Sequence, residues 1–521
     1  MVGEIAIDRS NKLWMPVFNV GLATFSPSKQ EFELHIPDPK NPSSLSDAQI
    51  ESIMMDNSGA IWLGSARSLM KHDSEKKKFS LISNSEKSEI QSSFNEKWGL
   101  FIDSDNKLWA GSVYRGSGID VIDMKTKSVT NHVPPNASEQ RGISMWKVTE
   151  DADGRIWGRT QYDIFVSDKN KKNFKSVWDR SNVSLKETGP IWTLMLGIEG
   201  RLWVFSEKKT WWVKFEGDSI RWTDVVSKKK NLKDVFNIGG TGDHHYSNVE
   251  NSFYIAIKNS TMNFGGSEQM LLIAHDNFKV DTVYDHNSSK EKIPGFGSVT
   301  HINQSKDGLY WLTTYGEGFS SFDMETKEIK HYGINDGLPN SHLYCIYEDK
   351  AGYMWMASNY GIIRFDRKDE SFRQFGMADG IQNFEYNAES HAQAKDGTLF
   401  FGGLSGANYF NPNTLRDNPN KPMVLIESFS KSDSIFSVHK SDNSNETYNI
   451  YYYEKDLSFN FASIDYRNPS RNQHAYMMEG YDDYWHYSNT RRYASYTNLP
   501  AGDYIFKVKG SNNDQVWNEE G

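Results

Sequence analysis

Tryptophan returns along this chain at a nearly constant distance. Trp14, Trp62, Trp109, Trp157 and Trp203 stand 48, 47, 48 and 46 residues apart, and Trp311 and Trp355 follow with 44 between them. Phe400 takes the same slot 45 residues later, in "DGTLFFGG". Before each lies a short turn, as in "DNSGAIWLG" (56–64), "DSDNKLWAG" (103–111), "DADGRIWG" (151–158), "EGRLWVF" (199–205), "DGLYWLT" (307–313) and "AGYMWMA" (351–357). The 108 residues from Trp203 to Trp311 leave room for one degenerate unit, with "NSFYIAIKN" (251–259) as its core and Tyr254 near the tryptophan slot. A period of about 40–50 residues is that of four-stranded propeller blades.

Each unit reads as four short strands. "SHLYCIYEDKAGYMWMASNYGIIRFDRKDESFRQF" (341–375) divides into "LYCIYED", "YMWMAS", "GIIRFD" and "SFRQF", separated by turn residues. The Asp carboxylate accepts local N–H groups in the first turn, and Gly or Asn supplies its left-handed residue. The Trp on the second strand then wedges between adjacent sheets. The competing reading, a calcium loop, needs Gly at the sixth position and Glu at the twelfth. "DADGRIWGRTQY" has Gly154 fourth and Tyr162 twelfth, and "DNSGAIWLGSAR" ends on Arg67, so the turn reading is preferred.

The sequence therefore predicts an all-β chain. Seven units counted back from Phe400 begin near residue 97, giving a seven-bladed β-propeller over 97–417 preceded by two extra blade repeats at 1–96; a single larger ring is the alternative. After a Pro/Asn/Lys-rich connector, "LSFNFASIDY" and "YIFKVKGS" alternate with period two, with turns between. They predict an immunoglobulin-like β-sandwich over 418–521, cut short before its last strand. The formal charge of −10 argues against a nucleic-acid or anionic-membrane surface. Cys345 is the single cysteine, so neither an internal disulfide nor a thiolate zinc cluster can form. No apolar run reaches membrane-span length and the N-terminus lacks a signal layout, so any anchor or leader is expected outside this stretch.

The segment "DGLYWLTTYGEGFSSFDMETKEIKHYGINDGLPNSHLYCIYEDKAGYMWMASNYGIIRFD" resembles the two-component regulator propeller repeat. "YMMEGYDDYWHYSNTRRYASYTNLPAGDYIFKVKGSNND" resembles the triple-tyrosine domain that follows such propellers, with Tyr476, Tyr496 and Tyr504 as its tyrosines. Gln515 stands where that family often has Gly, and the unit around 230–290 departs further from the repeat. The resemblance implies a periplasmic sensor region, a homodimer, tied to the membrane by a helix outside this chain. The output would be a histidine kinase or a diguanylate cyclase, and the stimulus an oligosaccharide.

His244–His245 is the most metal-like pair, but strand neighbours point to opposite faces. "GGTG" (239–242) lacks phosphate-loop context. Asp482–Asp483 are too close in sequence to flank a glycosidic bond, and Arg491–Arg492 reads as a solvated strand edge. No metal and no cofactor is expected. The stretch with the best ligand chemistry is 376–408, which concentrates Asn383, Phe384, Tyr386, Asn387 and His391; closing the ring is its structural alternative. Three function classes remain: a ligand sensor, a propeller hydrolase, lyase or oxidoreductase with polar groups converging on the axis, and a protein-interaction scaffold.

Overall fold

The computed structural model describes residues 4–38, 44–73, 78–86, 88–112, 118–133, 147–160, 163–178, 191–196, 202–206, 209–216, 219–224, 241–247, 252–258, 267–274, 280–285, 299–323, 325–431, 434–437, 447–451, 453–454 and 456–520. From 241 to 285 it describes strand backbone alone, so the side chains of Tyr254 and of the His244–His245 pair lie outside the described residues, as does part of "GGTG". Regular structure among the described residues is β-strand with a few single 3-10 turns. The chain divides into two compact units, one made of 1–76 with 416–521 and the other of 77–415.

The described residues of the second unit form seven sheets. We number them I to VII by their first strands: Leu100–Ile102, Lys147–Glu150, Ile191–Leu196, Thr241–Ser247, Val299–Gln304, Leu343–Glu348 and Tyr386–Gln393. Sheets I to VI each run in simple antiparallel order through four consecutive strands. First strands of successive sheets lie side by side from I to III and from IV to VII, and Leu100–Ile102 of sheet I lies against Tyr386–Gln393 of sheet VII, so the two ends of this unit meet. Sheet VII has three strands of its own, and Ser80–Ser83 supplies the fourth by pairing with Gly406–Phe410. The boundary expected at 96/97 therefore moves upstream. The reason is physical: the chain leaves sheet VII at the connector, and its exposed edge is satisfied by a strand from the other end of the ring.

The repeated tryptophans fill the spaces between sheets. Trp109, Trp157, Trp203 and Trp355 are 1% exposed and Trp311 2%. Trp355 packs with Phe375, Phe401 and Phe410, and Trp109 with Val148, Ile156 and Phe165. Truncating one of these to alanine would cost about 3–5 kcal/mol.

In several repeats a hydrogen bond ties the wedge to its turn. The indole N–H of Trp109, Trp157 and Trp355 donates to Asp103, Asp151 and Asp349, six residues earlier, at 2.8–2.9 Å. The second carboxylate oxygen of Asp349 accepts from Ala351 N (2.8 Å) and Tyr353 N (3.0 Å). The carboxylates that suggested calcium are thus engaged by indole and turn. Where the acid is absent the chemistry changes with it. Ser305 accepts from Trp311 at 3.1 Å, and Ala394 stands six residues before Phe400, which has no N–H to offer.

The first unit repeats the motif. Trp14 donates to Asp8 (2.8 Å) and Trp62 to Asp56 (2.7 Å). Its two blade-like sheets, Ala6–His35 and Ile50–His72, share a core of Trp14, Leu22, Ile53, Ile61 and Leu63. The sandwich has sheets of strand order Ser434–Ser437, Met423–Lys431, Asp456–Ile464, Tyr493–Thr497 and His486–Asn489, His474–Glu479, Ile505–Ser511, Trp517–Asn518. Tyr476 and Tyr496 sit in the core between them, with Tyr504 packed alongside. Their hydroxyls are committed: Tyr496 donates to Asp482 (2.6 Å), Tyr504 donates to Pro500 O (2.9 Å), and Tyr476 accepts from Arg491 (3.1 Å). Gln515 adopts φ 63°, the left-handed region that favours glycine. The blade pair and the sandwich meet within this unit, where Arg467 Nε donates to Ser58 O (2.7 Å) and Trp62 meets Tyr466 edge-on at 5.8 Å.

Candidate functional site

The segment leading into sheet VII is built on a turn that occurs twice. "GINDGLPN" (333–340) and "GMADGIQN" (376–383) each form one 3-10 turn whose Asp accepts from the leading Gly N–H, at 2.8 Å in both. Each turn closes on a left-handed Gly, Gly337 or Gly380, and drops Leu338 or Ile381 into the core. Asn383 follows, and its Oδ1 accepts from Phe384 N at 2.7 Å, turning the chain outward. The local sequence thus places Phe384 on the surface of the ring.

The five residues singled out in the sequence separate into three groups. Tyr386 and Asn387 are buried and serve closure. Tyr386 donates to Asn408 (2.7 Å), whose amide reaches Ser80 O of the closing strand (3.2 Å). Asn387 donates to Lys97 O (2.8 Å), as does Ser390 (2.9 Å), tying sheet VII to the entry into sheet I. Lys97 is itself buried, with its ammonium donating to Phe94 O (2.6 Å) and Ser92 Oγ (2.9 Å). Burial pushes its pKa down to about 8 although Asp120 lies at 3.5 Å.

Phe384 and Asn383 belong to an exposed face. The Phe384 ring stacks on Tyr360 at 4.7 Å with planes 9° apart; Tyr360 is 50% exposed and Phe384 37%. Tyr360 sits in the turn between the second and third strands of sheet VI, and Tyr315 occupies the like turn of sheet V. Asn383 donates to Ser405 Oγ (3.3 Å), from the same turn of sheet VII. Tyr315 lies edge-on to His342 at 4.7 Å. Aromatic rings and amides therefore share one end of the ring. The sequence reading missed Tyr360 and Tyr315; the signal available was a tyrosine at equivalent turn positions of successive repeats.

His391 faces elsewhere. A bulge separates the pairs Tyr386↔Gly403 and His391↔Phe401, with Glu389 at φ 58° inside it. His391 Nδ1 lies 2.7 Å from the Tyr347 hydroxyl, and burial lowers its pKa to about 3. In the sandwich, Asp482 accepts from Tyr496, Met478 N (2.7 Å) and His486 (3.1 Å), a turn role. Arg491 and Arg492 are exposed at a strand edge.

This architecture, an all-β propeller with an immunoglobulin-like sandwich, has known counterparts. Residues 465–521 match the Y_Y_Y domain, and residues 337–360 match the two component regulator propeller. Histidine kinase P4 of Formosa agariphila is 26% identical over 345 residues, which is 61% of this chain and 24% of that protein. The chain thus spans about a quarter of that relative's length. The crystal structure of the extracellular domain of BT3049, a proposed hybrid two component system from B. thetaiotaomicron, is similar with TM-score 0.73 and 21% identity. That likeness covers 99% of this chain and 66% of the other, and it supports the fold.

Proposed function

We propose that this chain is the ligand-sensing, extracytoplasmic part of a membrane-anchored two-component signalling protein, and that its ligand is an oligosaccharide. The pairing of the two matched domains in this order supports the sensor reading, as does the relative named a histidine kinase. On this reading the chain is periplasmic and homodimeric, and a kinase or diguanylate cyclase lies beyond a membrane segment outside it. The observation that carries the ligand class is the Tyr360–Phe384 pair, a preformed aromatic surface edged by Asn383 and Ser405. Such a surface takes the apolar face of a sugar ring while amides bond its hydroxyls. To signal, the ligand must bind one dimer arrangement more tightly than another.

Thermal shift against defined oligosaccharides tests this. A ligand at 100 times its Kd adds about 2.7 kcal/mol of stability, and a Tyr360→Ala/Phe384→Ala variant should lose that gain. A propeller enzyme is the second reading, favoured by the His301–Tyr347–His391 group near the axis. With a pKa of about 3, however, His391 is a weak base at neutral pH. Glycan turnover that disappears in His391→Ala would establish the enzyme instead.

A further inference from the structure

The two aromatic contacts at this end of the ring are joined by a polar group with a fixed direction. Tyr315 meets His342 edge-on at 4.7 Å, and Tyr344 lies 6.0 Å from the same tyrosine ring. The Tyr344 hydroxyl donates to Asn359 Oδ1. Asn359 immediately precedes Tyr360, which stacks on Phe384 at 4.7 Å. An unbroken run of contacts therefore leads from sheet V through sheet VI to the entry of sheet VII.

Backbone bonds hold this run in place. Gly316 N (3.2 Å) and Gly318 N (3.0 Å) both donate to Ser341 O, Asn359 N donates to His342 O (3.1 Å), and Gly361 N donates to Phe384 O (2.8 Å). A surface fixed before its ligand arrives gives up little conformational freedom on binding.

Tyr344 decides what Asn359 can offer. It is buried, and burial raises its pKa, so the phenol keeps its proton and donates. With Oδ1 engaged as acceptor, the amide N–H groups of Asn359 point away from Tyr344. Asn359 is half-buried, and among the described residues these N–H groups have no partner. Tyr315 is 40% exposed and Tyr360 50%, so the donor is flanked by two rings that reach solvent.

We propose, building on the sugar reading of Tyr360 and Phe384, that this end of the ring is a track for a linear oligosaccharide of three or more units. One unit stacks on the Tyr360–Phe384 pair, one stacks on the Tyr315 ring, and Asn359 donates to a hydroxyl of the unit between them. Tyr315 takes part through its ring and not its hydroxyl. Tyr344 is a positioning residue that touches no sugar.

The test is isothermal titration of residues 1–521 with size series, disaccharide to hexasaccharide, from xylan, β-mannan, laminarin and alginate. In a series that binds, affinity should rise about tenfold or more from disaccharide to tetrasaccharide, the gain of one stacked ring and one hydrogen bond. Tyr315→Ala should weaken the tetrasaccharide about fivefold or more and leave the disaccharide within about twofold. Asn359→Asp, which still accepts from Tyr344 but has no N–H to give, should do the same. Tyr344→Phe keeps the ring and frees the amide to rotate, and its loss should also be confined to the longer ligand, which damage to the fold would not produce. A tetrasaccharide bound no better than the disaccharide, or bound by Tyr315→Ala and Asn359→Asp as tightly as by the unaltered chain, overturns the track. If Tyr360→Ala/Phe384→Ala still abolishes that binding, the sugar reading stands without it. Absence of binding in every series overturns both.

Discussion

Replacing Asp349 by alanine removes one side chain that makes three hydrogen bonds, to the Trp355 indole and to two turn N–H groups. Trp355 is 1% exposed, so its N–H would stay buried without this acceptor, at a cost of about 1–3 kcal/mol. The turn N–H groups belong to residues nearer solvent and add about 0.5–1.5 kcal/mol each when their bonds are lost. Asp349→Ala should therefore destabilise by about 2–6 kcal/mol. Trp355→Phe leaves the carboxylate without its donor and a small void, for about 1–3 kcal/mol. The double variant recreates the Ala394–Phe400 combination that the last repeat already uses. Its loss should fall short of the sum of the single losses by about 1–2 kcal/mol, because neither partner is left alone. Urea unfolding followed by tryptophan fluorescence measures all four corners of the cycle. Additivity within about 0.5 kcal/mol would refute the claim that aspartate and indole act as one unit.

Other predictions concern buried groups and one strained residue. The Lys97 pKa falls to about 8 from an ordinary 10.5, so between those values the unfolded chain binds a proton that the native state has released. Its contribution to stability should rise with pH across that window, and Lys97→Met, compared by urea unfolding at pH 8 and pH 10, should remove the rise. For His391 the folded value of about 3 lies below 6.5, so its contribution is complete above pH 6.5 and is lost as pH falls. The loss is about 1.4 kcal/mol per pH unit, in the same direction as the lowered pKa values of His132, His331 and His474. A His391→Gln variant should show a shallower decline between pH 6 and pH 4. Gln515→Gly relieves a left-handed residue and should raise stability by up to about 1 kcal/mol; a loss of more than that by calorimetry would show that the Gln515 side chain matters.

The propeller was legible because its signal is local and repeated. A tryptophan, a turn and an acid recur within one unit, and Trp109, Trp157, Trp203, Trp311 and Trp355 all lie where that pattern puts them. The acid's role in the turn was legible too, but its bond to the indole was not read from the sequence, where Gly197 before Trp203 and Ser305 before Trp311 interrupt the spacing of six. Closure was not. Ser80–Ser83 joins residues more than 320 positions away, and nothing in its own sequence marks it as the outer strand of sheet VII. The candidate site divided for a related reason. Phe384, Tyr386 and Asn387 lie within four consecutive positions, yet two are buried at the seam and one faces solvent. Only the turn at 376–383 and the bulge at Glu389 decide which.

Isothermal titration of the intact chain with a panel of defined oligosaccharides tests the sensor account most directly. It should show one family of glycans binding with no turnover, and at least tenfold weaker binding when Tyr360 and Phe384 are both replaced by alanine. Binding that is unchanged in that variant, or glycan cleavage by the purified chain, would contradict it.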